Sequence, residues 1–229
     1  MITRLFAGVL AACLMLVPAI AAAQEAEAEA EAEAAPAPRA YQPINYDPSA
    51  DLENILYLDL SNGGRVAIRL MQSWAPSHIE RIKTLARQGF YNGVIFHRVL
   101  DEFMAQTGDP TGTGQGGSEL PDLEPEFNPM PHIRGTVSMA RAQAENSANS
   151  QFFIVFYPRF SLDRRYTNFG RVISGMEYVD TIERGEPPEN PTRVLQASIA
   201  ADGLPQKLPE LEPVEQEITL DMLNSAGSE

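Results

Sequence analysis

Short apolar runs, each five to seven residues long, are the main regular feature of the sequence between residues 55 and 199. Runs of this length, alternating or continuous in apolar character, are typical of β-strands rather than helices. They are Ile55 to Leu60, Val66 to Leu70, Val94 to Leu100, Thr136 to Ala140, Gln151 to Phe156, Phe169 to Ile173 and Arg193 to Ile199. Many short strands with few helices predict a mainly β fold, and specifically a closed antiparallel β-barrel.

Two segments instead have the apolar spacing of helices. In residues 76–89 the apolar side chains fall on one helical face, and Ser77 and Glu80 have the spacing of a capping box. Residues 176–184 predict a second, shorter helix. Between the first two apolar runs, Ser61 to Gly64 contains Asn-Gly, which indicates a β-hairpin.

The two ends of the chain differ in composition from this central part. Residues 1–23 contain an early basic residue, an apolar run and three consecutive alanines, which predict a secretory signal peptide. Residues 24–51 are rich in Glu, Ala and Pro and predict a disordered acidic spacer. Residues 204–229 predict an acidic tail. We therefore expect one globular domain over residues 52–203.

Cysteine usage and charge indicate where the protein works. Cys13 is the only cysteine, so cleavage after Ala23 would leave a chain without thiols, which suits an oxidising compartment. We expect export to the periplasm, with secretion or a lipid anchor on Cys13 as alternatives. No membrane-spanning segment is expected after cleavage. The net charge of −14 argues against nucleic acid and anionic lipid as partners.

A candidate site lies in residues 96–106, whose sequence is FHRVLDEFMAQ. Arg98 is a permanent cation in an apolar strand, and Phe103, Met104 and Gln106 follow it closely. A guanidinium beside apolar side chains, without a thiol or hydroxyl next to it, favours chemistry by hydrogen bonding and desolvation. The alternative is a solvated arginine at a strand edge.

A second stretch, Gly135 to Phe156, contains the motifs SMAR and SQFFI. Together with F-H-R-x-x-x-x-F-M-x-Q, these motifs resemble the cyclophilin family of peptidyl-prolyl cis-trans isomerases, over roughly residues 54–202. The resemblance implies an eight-stranded barrel capped by two helices, and rotation of X-Pro bonds without a metal or cofactor. Tyr166 and the Met-Ala-Arg run are most similar to bacterial periplasmic cyclophilins.

The resemblance also implies individual roles. Arg98 would donate a hydrogen bond to the prolyl nitrogen, with Gln106 as the second catalytic residue. The residues expected to bind the substrate are Phe103, Met104, Ala140, Arg141, Gln151, Phe153, Leu162 and Tyr166. Spacing supports part of this set independently, because Gln151 and Phe153 share one face of a strand while Phe152 faces the core.

Three positions depart from the best-known eukaryotic pattern of the family. Tyr166 replaces a histidine, Arg141 an asparagine and Ser161 a tryptophan. A phenol still packs and donates a hydrogen bond. We expect Arg141 to cost little, because the family's contacts at that position are largely through the backbone.

Other motifs are interpreted as structural. Gly112 to Gly117 matches G-x-G-x-x-G, but no strand precedes it and prolines follow, which excludes a dinucleotide site. His97 is expected in the core, and the acidic clusters lack the spacing of metal ligands. The sequence also contains the residue types of a catalytic triad, at Ser147, Ser150, His132 and Asp163. A triad is not expected, because no G-x-S-x-G nucleophile-elbow motif is present.

Three functions are therefore weighed. The first is a prolyl isomerase that acts on Pro-containing segments of unfolded or partly folded exported proteins. The second is a non-catalytic cyclophilin-fold chaperone or Pro-peptide-binding module of the cell envelope, and the third is an envelope protein acting through its acidic ends. Arg98 favours the first, because a pure binding module does not need the guanidinium. We expect the protein to be a monomer.

Overall fold

The computed structural model describes residues 40–210. The predicted signal peptide with Cys13, residues 24–39 of the predicted spacer and residues 211–229 of the predicted tail lie outside the described residues. The strands are β1 Ile55–Leu60, β2 Arg65–Leu70, β3 Arg98–Leu100, β4 Met104–Thr107, β5 Thr136–Met139, β6 Phe152–Val155, β7 Asn168–Ser174 and β8 Val194–Ile199. The helices are α1 Pro76–Arg87 and α2 Met176–Asp180, with short 3-10 helices at Leu52–Asn54, Phe160–Leu162 and Ala200–Asp202.

All eight strands belong to one antiparallel sheet, in the order β3-β4-β6-β5-β7-β2-β1-β8. The predicted mainly β architecture with two helices is confirmed, but the predicted closure is wrong. The sheet is curled and open, because the edge strands β3 and β8 form no ladder with each other within residues 40–210.

Where the barrel was expected to close, the structure has isolated β-bridges instead of a continuous ladder. Ile95 bridges Arg193, and Val99 bridges Gly185. The predicted strand Val94 to Leu100 is regular only in its last three residues. The segment opposite it, residues 185–193, contains three prolines, which have no N–H group to donate to a ladder.

The core confirms the period-two alternation that the sequence predicts. Phe152 is fully buried and packs edge-on against Tyr91 and Phe169, with ring centroids 5.6 and 6.1 Å apart. Its neighbour Phe153 belongs to a separate apolar cluster with Met104 on the other face of the sheet. One strand therefore contributes both to the core and to a second apolar surface.

Helix α1 begins as predicted at Pro76, but its cap is different. Ala75 is the N-cap and provides no side-chain hydrogen bond. The carboxylate of Glu126 instead accepts from the backbone N–H groups of Ser77 and His78, at 3.3 and 3.1 Å. The expected Ser77–Glu80 capping box is wrong, because a carboxylate 48 residues away along the chain occupies those donors.

Helix α2 ends at Asp180, four residues before the predicted Arg184. The guanidinium of Arg184 donates to the carbonyl oxygens of Asp180 and Ile182, at 2.6 and 2.5 Å. These side-chain bonds satisfy carbonyls that a continuing helix would have bonded to its own backbone.

The segment before the first 3-10 helix is bonded to the sheet through Arg69 of β2. This guanidinium is 2% exposed and donates to the carbonyl oxygens of Asn45, Asp47, Ala50 and Asp51, at 2.6 to 3.0 Å. The start of the predicted tail is also bonded, since Lys207 N donates to the buried carboxylate of Asp59 at 2.7 Å. Both segments are therefore bonded to β1 or β2.

Candidate functional site

A row of paired residues crosses four adjacent strands on the face opposite the core. Arg98 of β3 is the register partner of Gln106 in β4, and Gln106 is the partner of Phe153 in β6. Phe153 in turn pairs with Ser138 of β5. Directly opposite residues of antiparallel strands have side chains on the same face. The sheet therefore brings the predicted cation, amide and aromatic ring together.

These residues border a small cleft with an apolar floor, about 120 Å³ in volume. Met104 and Phe153 are almost fully buried beneath it, and the Tyr166 ring meets Phe153 edge-on with centroids 5.8 Å apart. The lining residues are Arg98, Phe103, Met104, Gln106, Ala140, Arg141, Phe153, Leu162 and Tyr166. Nine of the ten predicted site residues thus line one cleft, and the tenth, Gln151, lies beside it.

Arg98 stands at the rim of this cleft with 40% of its side chain exposed. Its Nε donates to the carboxylate of Glu186, and within residues 40–210 the two Nη groups make no hydrogen bond. Glu186 lies 88 residues further along the chain, in the proline-rich loop before β8. The sequence carries no signal for this pair, because the two residues meet only through the tertiary fold.

Gln106 and Gln151 connect the cleft to the glycine-rich loop. Gln106 Nε2 donates to Gln151 Oε1 at 2.8 Å, and Gln151 Nε2 donates to the carbonyl oxygens of Gly116 and Gly114 at 2.7 and 3.2 Å. Gln106, Ala140 and Arg141 also line a second, larger cleft of about 470 Å³ next to the first. The other residues of the larger cleft are Gly114, Gln115, Gly116, Gly117, Ser118, Asp122, Ala142, Ser147, Asn149 and Gln151.

The glycine-rich loop is organised around Asp109, a residue that the sequence analysis did not single out. Its carboxylate accepts from Thr111 and from the backbone N–H groups of Gly114 and Gly116, at 2.6 to 3.1 Å. Burial raises the pKa of Asp109, but these hydrogen bonds outweigh burial and leave the pKa below its usual value. The loop is thus held by its own hydrogen bonds, and strand β4 precedes it, contrary to the expectation that no strand does.

A buried polar chain lies behind Phe153. The ring of His132 stacks on that of Phe153 with centroids 6.4 Å apart. Its Nδ1 lies 2.8 Å from the Asp163 carboxylate and its Nε2 lies 3.0 Å from Ser138 Oγ. Burial lowers the pKa of His132 and Asp163 opposes this effect only in part, so the imidazole is neutral near pH 7.

The hydrogen-bonded group Asp163, His132 and Ser138 resembles a catalytic triad only in composition. The serine is Ser138 and not Ser147 or Ser150, it is fully buried, and its hydroxyl donates to the carbonyl of Thr167 at 2.9 Å. A buried hydroxyl cannot reach a substrate carbonyl, which agrees with the absence of an elbow motif. These three side chains instead support the ring of Phe153 from behind.

The remaining candidates are placed as structural residues. His97 is buried, with 5% of its surface exposed. Within residues 40–210 no group of three or more His, Cys, Asp or Glu side chains is arranged to hold a metal ion. In the same residues no helix is long and apolar enough to span a membrane. The cleft itself presents the guanidinium groups of Arg98 and Arg141, the amide of Gln106 and an apolar floor.

Comparisons with known proteins agree with this description. The family model "Cyclophilin type peptidyl-prolyl cis-trans isomerase/CLD" matches residues 55–200. A protein of Brucella suis named as a probable peptidyl-prolyl cis-trans isomerase is 47% identical over 170 residues, which cover 67% of this chain and 86% of that protein. A peptidyl-prolyl cis-trans isomerase-like 1 of Aspergillus niger is 40% identical over 148 residues, which cover 61% and 91%.

Solved structures show the same fold. Cyclophilin AquaCyp293 from Hirschia baltica superposes with a TM-score of 0.62 at 28% identity, over 68% of this chain and 77% of that one. A cyclophilin-type isomerase from Cryptosporidium parvum, determined in the presence of the dipeptide Ala-Pro, superposes with a TM-score of 0.59 at 30% identity. That superposition covers 63% of this chain and 98% of the other.

Proposed function

This chain belongs to the family of cyclophilin-type peptidyl-prolyl cis-trans isomerases, and on that premise we propose that it rotates X-Pro bonds in exported proteins during their folding. Arg98 is the residue that lowers the barrier, by donating a hydrogen bond to the prolyl nitrogen. The substrates are Pro-containing segments of unfolded or partly folded chains, and the protein acts as a monomer in the periplasm.

One observation carries the mechanism. Arg98 lines the cleft floored by Met104 and Phe153, its Nε donates to Glu186, and its two Nη groups are unbonded within residues 40–210. Rotation about a peptide bond must overcome a barrier of about 18–20 kcal/mol, which arises from amide resonance. A donor aimed at the nitrogen favours the twisted form, in which the nitrogen lone pair is no longer delocalised.

The apolar floor completes the proposed mechanism. A proline ring seated between Phe103, Met104 and Phe153 is held on one side of the bond while the other side turns. Each gain of about 1.4 kcal/mol in stabilisation of the twisted form is tenfold in rate. Arginine suits the role because its guanidinium does not lose its charge and its donor geometry is rigid. The mechanism forms no covalent intermediate and requires no metal or cofactor.

A protease-coupled assay of X-Pro peptides with the mature chain tests the proposal. Arg98→Ala is expected to lower kcat/KM by at least about 100-fold, since loss of one transition-state donor typically costs about 2.7–4 kcal/mol. Arg134→Ala is the matched control, because Arg134 is similarly exposed and paired with an acid, Asp180, but lies outside the cleft. Equal activity of Arg98→Ala and wild type would overturn the role of Arg98. No activity in either would favour a non-catalytic binding module.

Export has its own test. We expect the full chain, expressed in a bacterium with two membranes, to be recovered from the periplasm with Gln24 as its first residue. This follows from the signal peptide that residues 1–23 predict. Recovery from the cytoplasm with Met1 retained would show that the export proposal is wrong, without bearing on the isomerase activity.

A further inference from the structure

Arg141 carries a charge that no carboxylate neutralises within residues 40–210. Within residues 40–210 its guanidinium donates four hydrogen bonds, all to backbone carbonyl oxygens. Nε and Nη2 donate to Arg165 at 3.3 and 3.1 Å, and Nη1 donates to Ala142 and Gln143 at 3.0 Å each. An arginine has five N–H groups, so one N–H on Nη2 remains for an incoming acceptor.

The same contacts fix the position of this charge. The carbonyls hold the guanidinium plane, which also lies over the ring of Tyr166 with its central carbon 4.8 Å from the ring centroid. A cation held over an aromatic face is stabilised without losing its charge. Arg141 therefore presents a preorganised cation, whereas most exposed arginines must be ordered when a ligand binds.

The surroundings of Arg141 add positive charge on one side. Arg164 and Arg165 are exposed on the loop that supplies its main acceptor, and neither forms an ion pair within residues 40–210. Asp163, the acid on that loop, contacts the neutral ring of His132 and keeps its own negative charge. Asp122 lines the larger cleft and accepts a hydrogen bond from Asn149. Among these three arginines, Arg141 is the one that lines both clefts.

Arg141 also lies where a bound peptide has to pass. The small cleft takes the proline, and the larger cleft shares with it only Gln106, Ala140 and Arg141. A peptide that extends from one cleft into the other therefore crosses the border that Arg141 forms. A side chain close to the proline would meet both the free N–H and the full charge.

We propose that Arg141 determines specificity, by selecting substrates with an acidic side chain beside the proline on the side that enters the larger cleft. This inference rests on the proposed isomerase function. It also assigns to the side chain of Arg141 a role that the sequence analysis left to the backbone. An acid gains a partly preorganised ion pair, a neutral amide gains one hydrogen bond, and a lysine meets repulsion.

A set of otherwise identical X-Pro peptides tests this inference. Glu, Gln or Lys is placed in turn at each of the two positions before and the two positions after proline, and kcat/KM is measured with wild type. At one position we expect Glu to exceed Gln by about twofold to fivefold and Lys to fall below Gln, which is the range of exposed ion pairs. The difference should shrink between about 0.05 M and about 0.5 M salt.

Variants assign the preference to one side chain. In Arg141→Gln the ratio of Glu to Lys peptides should fall to about one, whereas Arg141→Lys should keep part of it because the charge remains. Arg134→Gln is the matched control, since it removes an exposed arginine that pairs with Asp180 and lines neither cleft, and its ratio should equal that of wild type.

Failure of the specificity inference and failure of the proposed function give different results. If wild type isomerises the Gln peptides but treats Glu and Lys alike at every position, the specificity inference is wrong and the proposed function stands. A preference that persists in Arg141→Gln would overturn the assignment to Arg141. If wild type isomerises none of the peptides, the proposed function fails and the inference fails with it.

Discussion

The side-chain amide of Gln106 donates to that of Gln151 at 2.8 Å, and this bond joins the residue row beneath Arg98 to the glycine-rich loop. Gln151 in turn donates to the carbonyl oxygens of Gly114 and Gly116 in that loop. The orientation of Gln106, which lines both clefts, is therefore set by a loop that lines the larger cleft and not the smaller one. Both amides are partly buried, so their mutual bond is shielded from competing water.

We predict that Gln151→Leu lowers kcat/KM by about tenfold while the midpoint of thermal unfolding changes little. The variant removes the acceptor of Gln106 and both donors to the loop, each worth about 0.5–1.5 kcal/mol, and leaves Gln106 free to turn. The control is Gln143→Leu, because exposed Gln143 contacts Arg141 only through its backbone carbonyl. Equal kinetics for the two variants would contradict a positioning role for Gln151.

The pair of Glu186 with Arg98 leads to a second prediction. Glu186→Ala should lower kcat/KM by about twofold to fivefold, because an exposed ion pair contributes about 0.2–1 kcal/mol to holding the guanidinium in place. Glu189→Ala is the control, since Glu189 is exposed on the same loop and lines neither cleft. Steady-state kinetics in which Glu186→Ala equals or exceeds wild type would show that the carboxylate does not position Arg98.

Two buried histidines predict how stability depends on pH. Burial lowers the pKa of His132 and of His97 below the ordinary value of 6.5, with nearby carboxylates opposing it in part. Just below pH 6.5 the unfolded chain therefore binds more protons than the folded protein. The free energy of unfolding should fall as the pH drops below about 6.5, and this decline should end once the pH has passed the lowered folded-state pKa values.

Urea unfolding at a series of pH values, with wild type and His97→Leu, checks this prediction. Neither ring nitrogen of His97 has a hydrogen-bond partner within residues 40–210, so an apolar replacement sacrifices no observed bond. The variant should show a shallower fall in unfolding free energy toward about pH 5 than wild type. An unchanged slope would mean that His97 does not contribute to the pH dependence.

The N-terminal segment supplies a fourth prediction. A chain that starts at residue 40 should match the mature protein in activity and stability. A chain that starts at residue 52 should lose about 3–5 kcal/mol of unfolding free energy, because it removes the four carbonyls that satisfy buried Arg69. Adding Arg69→Met to the shorter chain should recover part of that loss. Equal denaturation midpoints for the two truncated chains would contradict this account.

The sequence by itself determined the family and the placement of much of the site. Period-two alternation put Phe152 in the core and Phe153 on the opposite face, because successive side chains of a strand point to opposite sides of the sheet. The motifs predicted the family, which the comparisons confirm. The bounds of β1 were also predicted correctly, since they follow from local apolar character and a turn signal. The roles of the individual site residues stay predictions until they are measured.

Only the tertiary structure decided which polar groups meet. Glu186 reaches Arg98 from 88 residues away, Glu126 reaches His78 from 48, and Asp163 reaches His132 from 31. The short strand β4 was not among the predicted apolar runs, and the sheet was predicted to close rather than to remain open. Periodicity reports which face a side chain occupies but not its partner across the fold. Such partners are set by long-range packing, which leaves no regular spacing in the sequence.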